Sequence, residues 1–297
     1  MKTLDPKNIS TKELHGLLLG GIGPRPIALA STMDKEGNPN LSPFSFFNIF
    51  SANPPILIFS PARRVRDNTI KHTLENVMEH PEVVVNIVNH SIVEQMSLSS
   101  TEYGKGINEF SKSGLTPVES ETIRPFRVQE SPMQLECKVL EVKQLGNEGG
   151  AGNLVICEVI KVHFDENILD EDGKVSPFKI DLVGRMGGDW YVRANDDALF
   201  EVEKPLSTIG IGFDQLPEGI KTSNYLTGNE LAKLANFESI PNLTEVEKWM
   251  KEEEIIALLN QKEDKTNAIH DKAKELLADN YVLEAWLTLL IEQTNRK

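Results

Sequence analysis

The stretch that decides most about this chain runs from Asn40 to Thr69 and reads NLSPFSFFNIFSANPPILIFSPARRVRDNT. Its first half mixes small polar residues with phenylalanines, and Asn-Pro-Pro then separates two strand-like runs, Leu41–Ile49 and Pro55–Ser60. Its second half ends in an arginine cluster followed by Asp67-Asn68-Thr69. The stretch therefore predicts two strands and then a charged loop.

The arginine cluster Arg63-Arg64-Val65-Arg66 favours a bound anion. The net charge of the chain is −14, which argues against general binding to nucleic acid or to an acidic membrane. Asp67 or Thr69 can cap a helix predicted over 70–79, and a helix N-terminus offers unpaired N–H groups and partial positive charge. Together these features predict a seat for a phosphate monoester. The alternative is a capped surface helix with ordinary ion pairs.

The run Asn40–Asn48 has two interpretations. Backbone amides and small hydroxyls can hydrogen-bond the polar edge of a planar ring, while phenylalanines wall the ring. The other interpretation is a core strand with two satisfied serines, and the run taken alone favours that one.

The sequence pattern divides the chain into two parts, one rich in strands and one rich in helices. A strand-rich part over 1–204 includes a long hairpin, Gln134–Leu145 and Asn153–Phe164, joined by a glycine-rich loop. An acidic helical extension is predicted over 205–297. There, a capping box at Thr244 opens an amphipathic helix whose apolar face carries Val246, Trp249, Met250, Ile256 and Ala257.

Several classes of protein are excluded by the sequence. No apolar run reaches the roughly 18 residues of a membrane span, and the first residues lack the apolar run of a signal peptide. The two cysteines, Cys137 and Cys157, fit a reducing compartment and predict buried small hydrophobes. The six histidines have no metal-ligand spacing with these cysteines, so no metal site is expected. We expect a cytoplasmic protein.

The order of the pieces resembles the flavin reductase-like family of FMN-binding split barrels, which includes flavoredoxin. The resemblance covers about residues 15–195. It is carried by Arg25-Pro26-Ile27-Ala28-Leu29 with Ser31-Thr32, the turn Asp34–Gly37, the run Asn40–Asn48, Pro54-Pro55, Arg63–Thr69, Ser131–Cys137, and Gly184–Gly188 with Tyr191.

The resemblance implies a mainly β fold with helices: a six-stranded Greek-key split β-barrel, to which the C-terminal α-helical extension is added. It also implies a homodimer with FMN near the subunit interface. Many family members carry Lys-Asp-Thr in the phosphate-binding stretch, where this chain has one residue more, Asn68, between Asp67 and Thr69.

The residues that the resemblance assigns to FMN fall into three groups. The flavin ring and ribityl chain are assigned to Ser45, Phe46, Phe47 and Asn48. The phosphate is assigned to Arg64, Asp67, Asn68 and Thr69. Further residues come from the neighbouring strand, or from the second half of the barrel or the partner subunit: Arg25, Thr32, Arg185 and Tyr191.

The function implied is an FMN-dependent NAD(P)H oxidoreductase that passes electrons to a flavin, an iron or quinone compound, or a redox protein. Hydride transfer needs no catalytic side chain, and none is predicted. Two alternatives stay open: an FMN-bound electron carrier without small-molecule turnover, and a non-enzymatic flavin-binding or interaction module. The extension either packs on the barrel or dimer, or forms a lid over the flavin.

Overall fold

The computed structural model describes residues 1–206, 209–260 and 265–294. The chain forms two compact units, Met1–Phe200 and Glu201–Lys297, whereas the sequence predicted a boundary at 204/205. The parts of the predicted extension at 207–208, 261–264 and 295–297 lie outside the described residues. Along the described ranges, no helix combines the length and the hydropathy needed to cross a bilayer.

A seven-stranded antiparallel sheet dominates the N-terminal unit, with the strand order β2-β1-β5-β8-β9-β4-β3. Two small two-stranded sheets, β6 with β7 and β10 with β11, accompany it. The strands in chain order are β1 (Ala28–Met33), β2 (Pro39–Phe44), β3 (Phe47–Ala52), β4 (Pro55–Phe59), β5 (Glu82–Ile87), β6 (Pro117–Val118), β7 (Arg127–Val128), β8 (Met133–Gln144), β9 (Asn153–Phe164), β10 (Val183–Arg185) and β11 (Tyr191–Arg193).

Strands β2 and β3 lie at opposite edges of this sheet, although only Ser45 and Phe46 separate them. The sheet must therefore curl until its two edges meet at this link, which closes a barrel. The prediction of one strand over Leu41–Ile49 was wrong, because Phe44 pairs with β1 while Phe47 pairs with β4. That break accounts for seven strands where six were predicted.

The interior of the barrel is apolar. Strand β1 is buried along its whole length, and the two cysteines are fully buried on β8 and β9. Burial raises the pKa of the Cys137 thiol to about 12, so it stays protonated and behaves as a small hydrophobe, as predicted. The residues of this core include Ala28, Phe44, Phe59, Val83, Val85, Cys137, Val155 and Cys157.

Five α-helices accompany the barrel. The first begins at an N-cap serine, Ser10, whose Oγ accepts from Glu13 N at 3.2 Å. The helices are α1 (Thr11–Gly21), α2 (His72–Glu79), α3 (Val93–Ser99), α4 (Glu109–Ser113) and α5 (Pro177–Ile180).

The C-terminal unit is helical. It comprises α6 (Glu218–Lys221), α7 (Gly228–Ala235), α8 (Leu243–Trp249), α9 (Glu253–Leu259), α10 (Lys265–Ala278) and α11 (Val282–Thr294). The capping box of α8 is formed by Asn242 and Glu245, so the box predicted at Thr244 was wrong by two residues. The amphipathic helix predicted beyond it is two helices, α8 and α9. Trp286 is fully buried in the core of this unit and donates to Leu234 O at 3.1 Å.

Candidate functional site

An open pocket lies on the N-terminal unit where β2, the loop after β4 and the end of α3 meet. It encloses about 320 Å³, counting the space open to solvent. Six hydroxyl side chains, the cations Arg64 and Lys71, and two glutamates make up most of its lining, which favours a polar ligand that the cations can bind. The lining residues are Asn40, Ser42, Arg64, Lys71, His72, Thr73, Ser99, Ser100, Thr101, Glu102, Tyr103 and Glu109.

Lys71 gives the strongest indication of the kind of ligand that this pocket binds. Its side chain is half-buried, and its Nζ lies 4.9 Å from the centre of the Phe44 ring. In the part of the chain that the structure describes, no carboxylate lies within 4.0 Å of this Nζ. Burial, and then the neighbouring Arg64, lower the pKa of the Lys71 ammonium, and Glu102 opposes them in part. A bound anion would relieve both effects.

Arg64 lies beside Lys71 and is held by the loop around it. Its Nη1 donates to Thr69 Oγ1 at 2.9 Å and to Ile70 O at 2.8 Å, and its Nε donates to Glu102 Oε1 at 3.0 Å. Among the described residues no partner is seen for Nη2, so this nitrogen is available to a ligand. The loop thus fixes the guanidinium and leaves one of its edges open.

The loop itself is a tight turn organised by Asp67 and Asn68. Asp67 Oδ1 accepts from the Thr69 backbone N–H at 3.0 Å and from the Thr69 hydroxyl at 2.6 Å. These bonds, with Arg66, hold the pKa of Asp67 well below its usual range. Asn68 adopts a left-handed φ of 57°, so the extra residue bulges outward and leaves Asp67 in contact with Thr69.

The glycine-rich hairpin loop between β8 and β9 supports this turn from behind. Asn68 Nδ2 donates to Asn147 O at 2.9 Å, and Gly150 N donates to Arg63 O at 2.9 Å. A Cβ at Gly149 would lie only 3.0 Å from Val65 O, so the close approach requires glycine. The loop of a distant hairpin therefore sets the position of the arginines.

Helix α2 begins beside the pocket without a capping side chain. Its N-cap is Lys71, and no side chain in the described part of the chain caps it; the predicted caps at Asp67 and Thr69 were therefore wrong. The physical reason is that Asp67 serves its own turn. The first helical residues, His72 and Thr73, line the pocket, and an uncapped N-terminus adds partial positive charge there.

A buried polar network forms part of the pocket lining and continues into the barrel. Asn40 Nδ2 donates to Glu109 Oε1 at 3.0 Å, and Asn40 Oδ1 accepts from Thr73 Oγ1 at 2.7 Å. Thr32 Oγ1 joins this network by accepting from Asn76 Nδ2 at 3.1 Å. Thr32 does not line the pocket itself, and it supports the residues that do.

Burial raises the pKa of the Glu109 carboxyl, although hydrogen bonds from the Leu41 backbone and from Asn40 oppose the rise. This network joins α4 to β2, and it thereby positions the segment that carries Ser99 to Tyr103.

The predicted ring-binding residues occupy the closure of the barrel. Ser45 is half-buried and Phe46 is 40% exposed at the β2–β3 link, and the Phe46 ring meets His15 edge-on at 6.1 Å. Phe47 packs on the barrel core, whereas Asn48 is exposed, and in the described structure its side-chain oxygen accepts from Ile49 N. These four residues do not line the pocket of Lys71, but they follow directly from the strand β2 that does.

Arg25 and Arg185 lie together in another part of the barrel. Arg25 is buried, and its guanidinium donates to Leu19 O at 2.7 Å, to Met186 O at 2.8 Å and to Ile22 O. Arg185 stacks on the Tyr191 ring at 4.6 Å. Neither arginine lines the pocket, and Arg25 is engaged in holding the end of α1 against the β10–β11 hairpin.

Sequence reasoning missed the cation Lys71, the hydroxyl run Ser99-Ser100-Thr101, and Glu102. The hydroxyl run is visible in the sequence, but only the folded barrel brings it to the arginine cluster more than 30 residues earlier. Within the described residues, no group of three His, Cys, Asp or Glu side chains could hold a metal ion.

Comparisons with known proteins agree with this architecture. A protein of uncharacterized function from Aquifex aeolicus is 36% identical over 189 residues, which is 64% of this chain and 94% of the relative. The crystal structure of nitrilotriacetate monooxygenase component B from Bacillus cereus is 30% identical with a TM-score of 0.63, covering 68% of this chain and 98% of that one. The 2-nitrobenzoate 2-nitroreductase NbaA of Pseudomonas fluorescens is 29% identical with a TM-score of 0.59, covering 70% of this chain and 100% of that one.

The family model of the flavin reductase like domain matches residues 21–179, more than half of the chain. The matched range includes the barrel closure, the arginine turn and the pocket around Lys71. The split-barrel expectation is confirmed, with seven strands in the main sheet. The chain belongs to the flavin reductase like domain family.

Proposed function

We propose that the N-terminal unit binds FMN with its phosphate in the pocket of Lys71 and Arg64, and works as an FMN-dependent NAD(P)H oxidoreductase. The observation that carries the proposal is the half-buried Lys71 ammonium, which lacks a carboxylate partner among the described residues. A partly buried cation without a direct ion pair is stabilised when a ligand supplies the opposite charge. Membership of a flavin reductase family makes a flavin phosphate the best candidate.

The residues of the pocket fit a phosphate monoester by their chemistry. Lys71 and the open edge of Arg64 would offset its charge, and the hydroxyls of Ser99, Ser100 and Thr101 would donate to its oxygens. The uncapped start of α2 adds N–H donors. Toward the barrel closure, Ser45 offers a hydroxyl and Phe46 an apolar wall for the ring system.

The chemistry that FMN supplies when bound is hydride and electron transfer, with NADH or NADPH as the donor. The protein binds and orients the flavin and limits the access of water to it, and this role needs no catalytic side chain. The acceptors proposed are a free flavin, an iron or quinone compound, or a redox protein. The likeness to a nitroreductase adds a nitroarene to the acceptors worth testing.

A homodimer is proposed on separate grounds. The side chains of Phe46, Ile49 and Phe50 are 40%, 67% and 63% exposed at the closure of the barrel, beside the proposed ring site. Such a cluster of exposed apolar side chains is typical of an interaction surface. Light scattering on the purified protein tests this: wild type should be a dimer, and Phe50→Glu should be a monomer. A monomeric wild type would contradict it.

The test of function is a visible spectrum of the purified full-length protein, reconstituted with FMN and then mixed anaerobically with NADH or NADPH. A bound flavin band that bleaches with one of the nucleotides is the expected result. A flavin band that bleaches only with a reduced ferredoxin would replace the reductase with an electron carrier. A protein that takes up no FMN would favour an interaction module and contradict the proposal.

A further inference from the structure

We infer that Glu102 selects a flavin with one phosphate over a flavin with two, because its carboxylate occupies the place of a second phosphate. This inference rests on the proposed function, since it concerns the same pocket. It goes further by naming a residue that determines which flavin is bound.

Glu102 bridges two guanidinium groups. Its Oε1 accepts from Arg64 Nε at 3.0 Å, and its Oε2 accepts from Arg66 Nη2. These bonds, that from Arg64 first, lower the pKa of Glu102, so it is a carboxylate at neutral pH. A carboxylate between two guanidiniums makes the contacts that a phosphate group makes in such a place.

Two cations of the pocket, Lys71 and Arg64, and the neighbouring Arg66 form a series from the inside outward. Lys71 is half-buried against Phe44, the side chain of Arg64 is 20% exposed, and the side chain of Arg66 is 67% exposed. Glu102 joins Arg64 to Arg66. In the described structure it makes no ion pair with Lys71. The inner cation therefore makes no direct ion pair in the described structure and feels Glu102 only at longer range, while the two outer cations are paired with Glu102 directly.

This arrangement distinguishes the two common flavin nucleotides. FMN presents one phosphate, which the inner part can take. FAD presents a second phosphate directly bonded to the first, and that group would meet the Glu102 carboxylate between the arginines. Like charges in contact disfavour the second ligand, which is how a site rejects a close relative of its own ligand. Glu102 thus acts as a built-in anion that satisfies Arg64 and Arg66 and repels a diphosphate.

A purely positioning role for Glu102 makes a different prediction. If the carboxylate only tethered the segment of Ser99 to Tyr103, its loss would weaken FMN and FAD equally. The ratio of the two affinities is therefore the decisive readout, and riboflavin, which has no phosphate, reports on the ring site alone.

The experiment titrates riboflavin, FMN and FAD into the flavin-free full-length protein, with quenching of flavin fluorescence as the signal. Wild type is compared with Glu102→Gln and Glu102→Lys, which change the charge in two steps. Glu36→Gln is the control, because Glu36 is an exposed glutamate paired with Lys35, outside the pocket. Should Glu102→Lys fail to fold, Glu102→Gln alone gives the answer, since it is isosteric at a partly exposed position.

Wild type should prefer FMN to FAD. The FMN-to-FAD affinity ratio should fall about fivefold in Glu102→Gln and further in Glu102→Lys, as expected for removal of one like charge. Glu36→Gln should leave the ratio unchanged. A ratio that stays constant in the Glu102 variants, or a wild type that prefers FAD, would overturn the inference while leaving flavin binding intact. A wild type that binds none of the three flavins would overturn the proposed function and this inference with it.

Discussion

Two charged clusters in the same barrel differ in how completely their charges are met. On β8, the fully buried Glu136 carboxylate accepts from the Glu121 and Thr122 backbone N–H groups at 2.8 Å each and from His163 Nε2 at 2.7 Å. The Thr122 hydroxyl donates to it as well. At the pocket, the Lys71 ammonium lies over the Phe44 ring and beside Arg64, and no carboxylate of the described structure lies within 4.0 Å of it.

The difference in partners distinguishes a charge that stabilises the fold from a charge that can bind a ligand. Burial alone would raise the pKa of Glu136, but its hydrogen bonds hold that pKa at about 2. Burial and the neighbouring Arg64 lower the pKa of Lys71, and Glu102, which makes no direct ion pair with it, opposes them only in part. A buried charge with all its partners inside the chain holds the fold together, whereas one that lacks them indicates a place for a ligand.

The largest effect is expected from Glu136→Ala. The substitution leaves four donors without an acceptor, and we expect a loss of about 4 kcal/mol in the free energy of unfolding of the N-terminal unit. Calorimetry should show its transition about 12 °C lower. Glu141→Ala, at an exposed position of the same strand, is the control and should change little. An equal effect in both variants would mean that the Glu136 cluster has no special role.

Lys71→Met should stabilise the N-terminal unit, in contrast to Glu136→Ala, which should destabilise it. Removing the uncompensated charge should raise the melting temperature of the flavin-free unit by about 3 °C, because burial disfavours the ammonium. The same substitution should weaken FMN binding about 30-fold, since a charge-assisted contact contributes about 2 kcal/mol. Lys35→Met, on an exposed turn, is the matched control. A Lys71→Met protein that binds FMN like wild type would contradict the assignment of the pocket.

The pH dependence of the stability of the N-terminal unit should reflect protonation of the Glu136 carboxylate. Its pKa is lowered in the folded state to about 2 from a usual value of 4.5, so its stabilisation is fully present above pH 4.5. That stabilisation should be lost as the pH falls from 4.5 to about 2. Denaturant unfolding of wild type and Glu136→Ala at a series of pH values should therefore converge in this range. A difference that stays constant down to pH 2 would contradict the assigned cause.

The smallest effect is expected at Asn68, behind the pocket. Asn68→Ala places an alanine at a φ of 57° and removes the side-chain bonds to Arg63 Nε and Asn147 O, so the turn should loosen. We expect a loss of about threefold in FMN affinity, measured by fluorescence titration. Asn68→Gly keeps the backbone conformation accessible and should lose less. If both variants bind like wild type, the turn does not position Arg64.

The sequence indicated the part of the candidate site that is local in the chain. The stretch from Asn40 to Thr69 contains β2, the barrel closure and the arginine turn, because strand, turn and charge signals all lie within 30 residues. The break at Ser45 was not predicted, since phenylalanines stand on both sides of it and only the choice of partner strand ends β2 there.

The remainder of the site depends on contacts between distant segments. Ser99 to Glu102 reach the pocket only because α3 and α4 pack beside β2, and Glu109 anchors that packing through Asn40. Asp67 was predicted to cap a helix, but its carboxylate instead accepts from the Thr69 backbone N–H within the turn. The role of Lys71 follows from what surrounds it in the fold, which no local pattern displays.

The most direct test of the central claim compares FMN with riboflavin on the wild-type protein, because the two ligands differ only in the phosphate. If Lys71 and Arg64 form the phosphate seat, FMN should bind at least about 100-fold more tightly than riboflavin, as two charge-assisted contacts imply. Equal affinities for the two ligands would show that the pocket does not hold the phosphate, and would contradict the account.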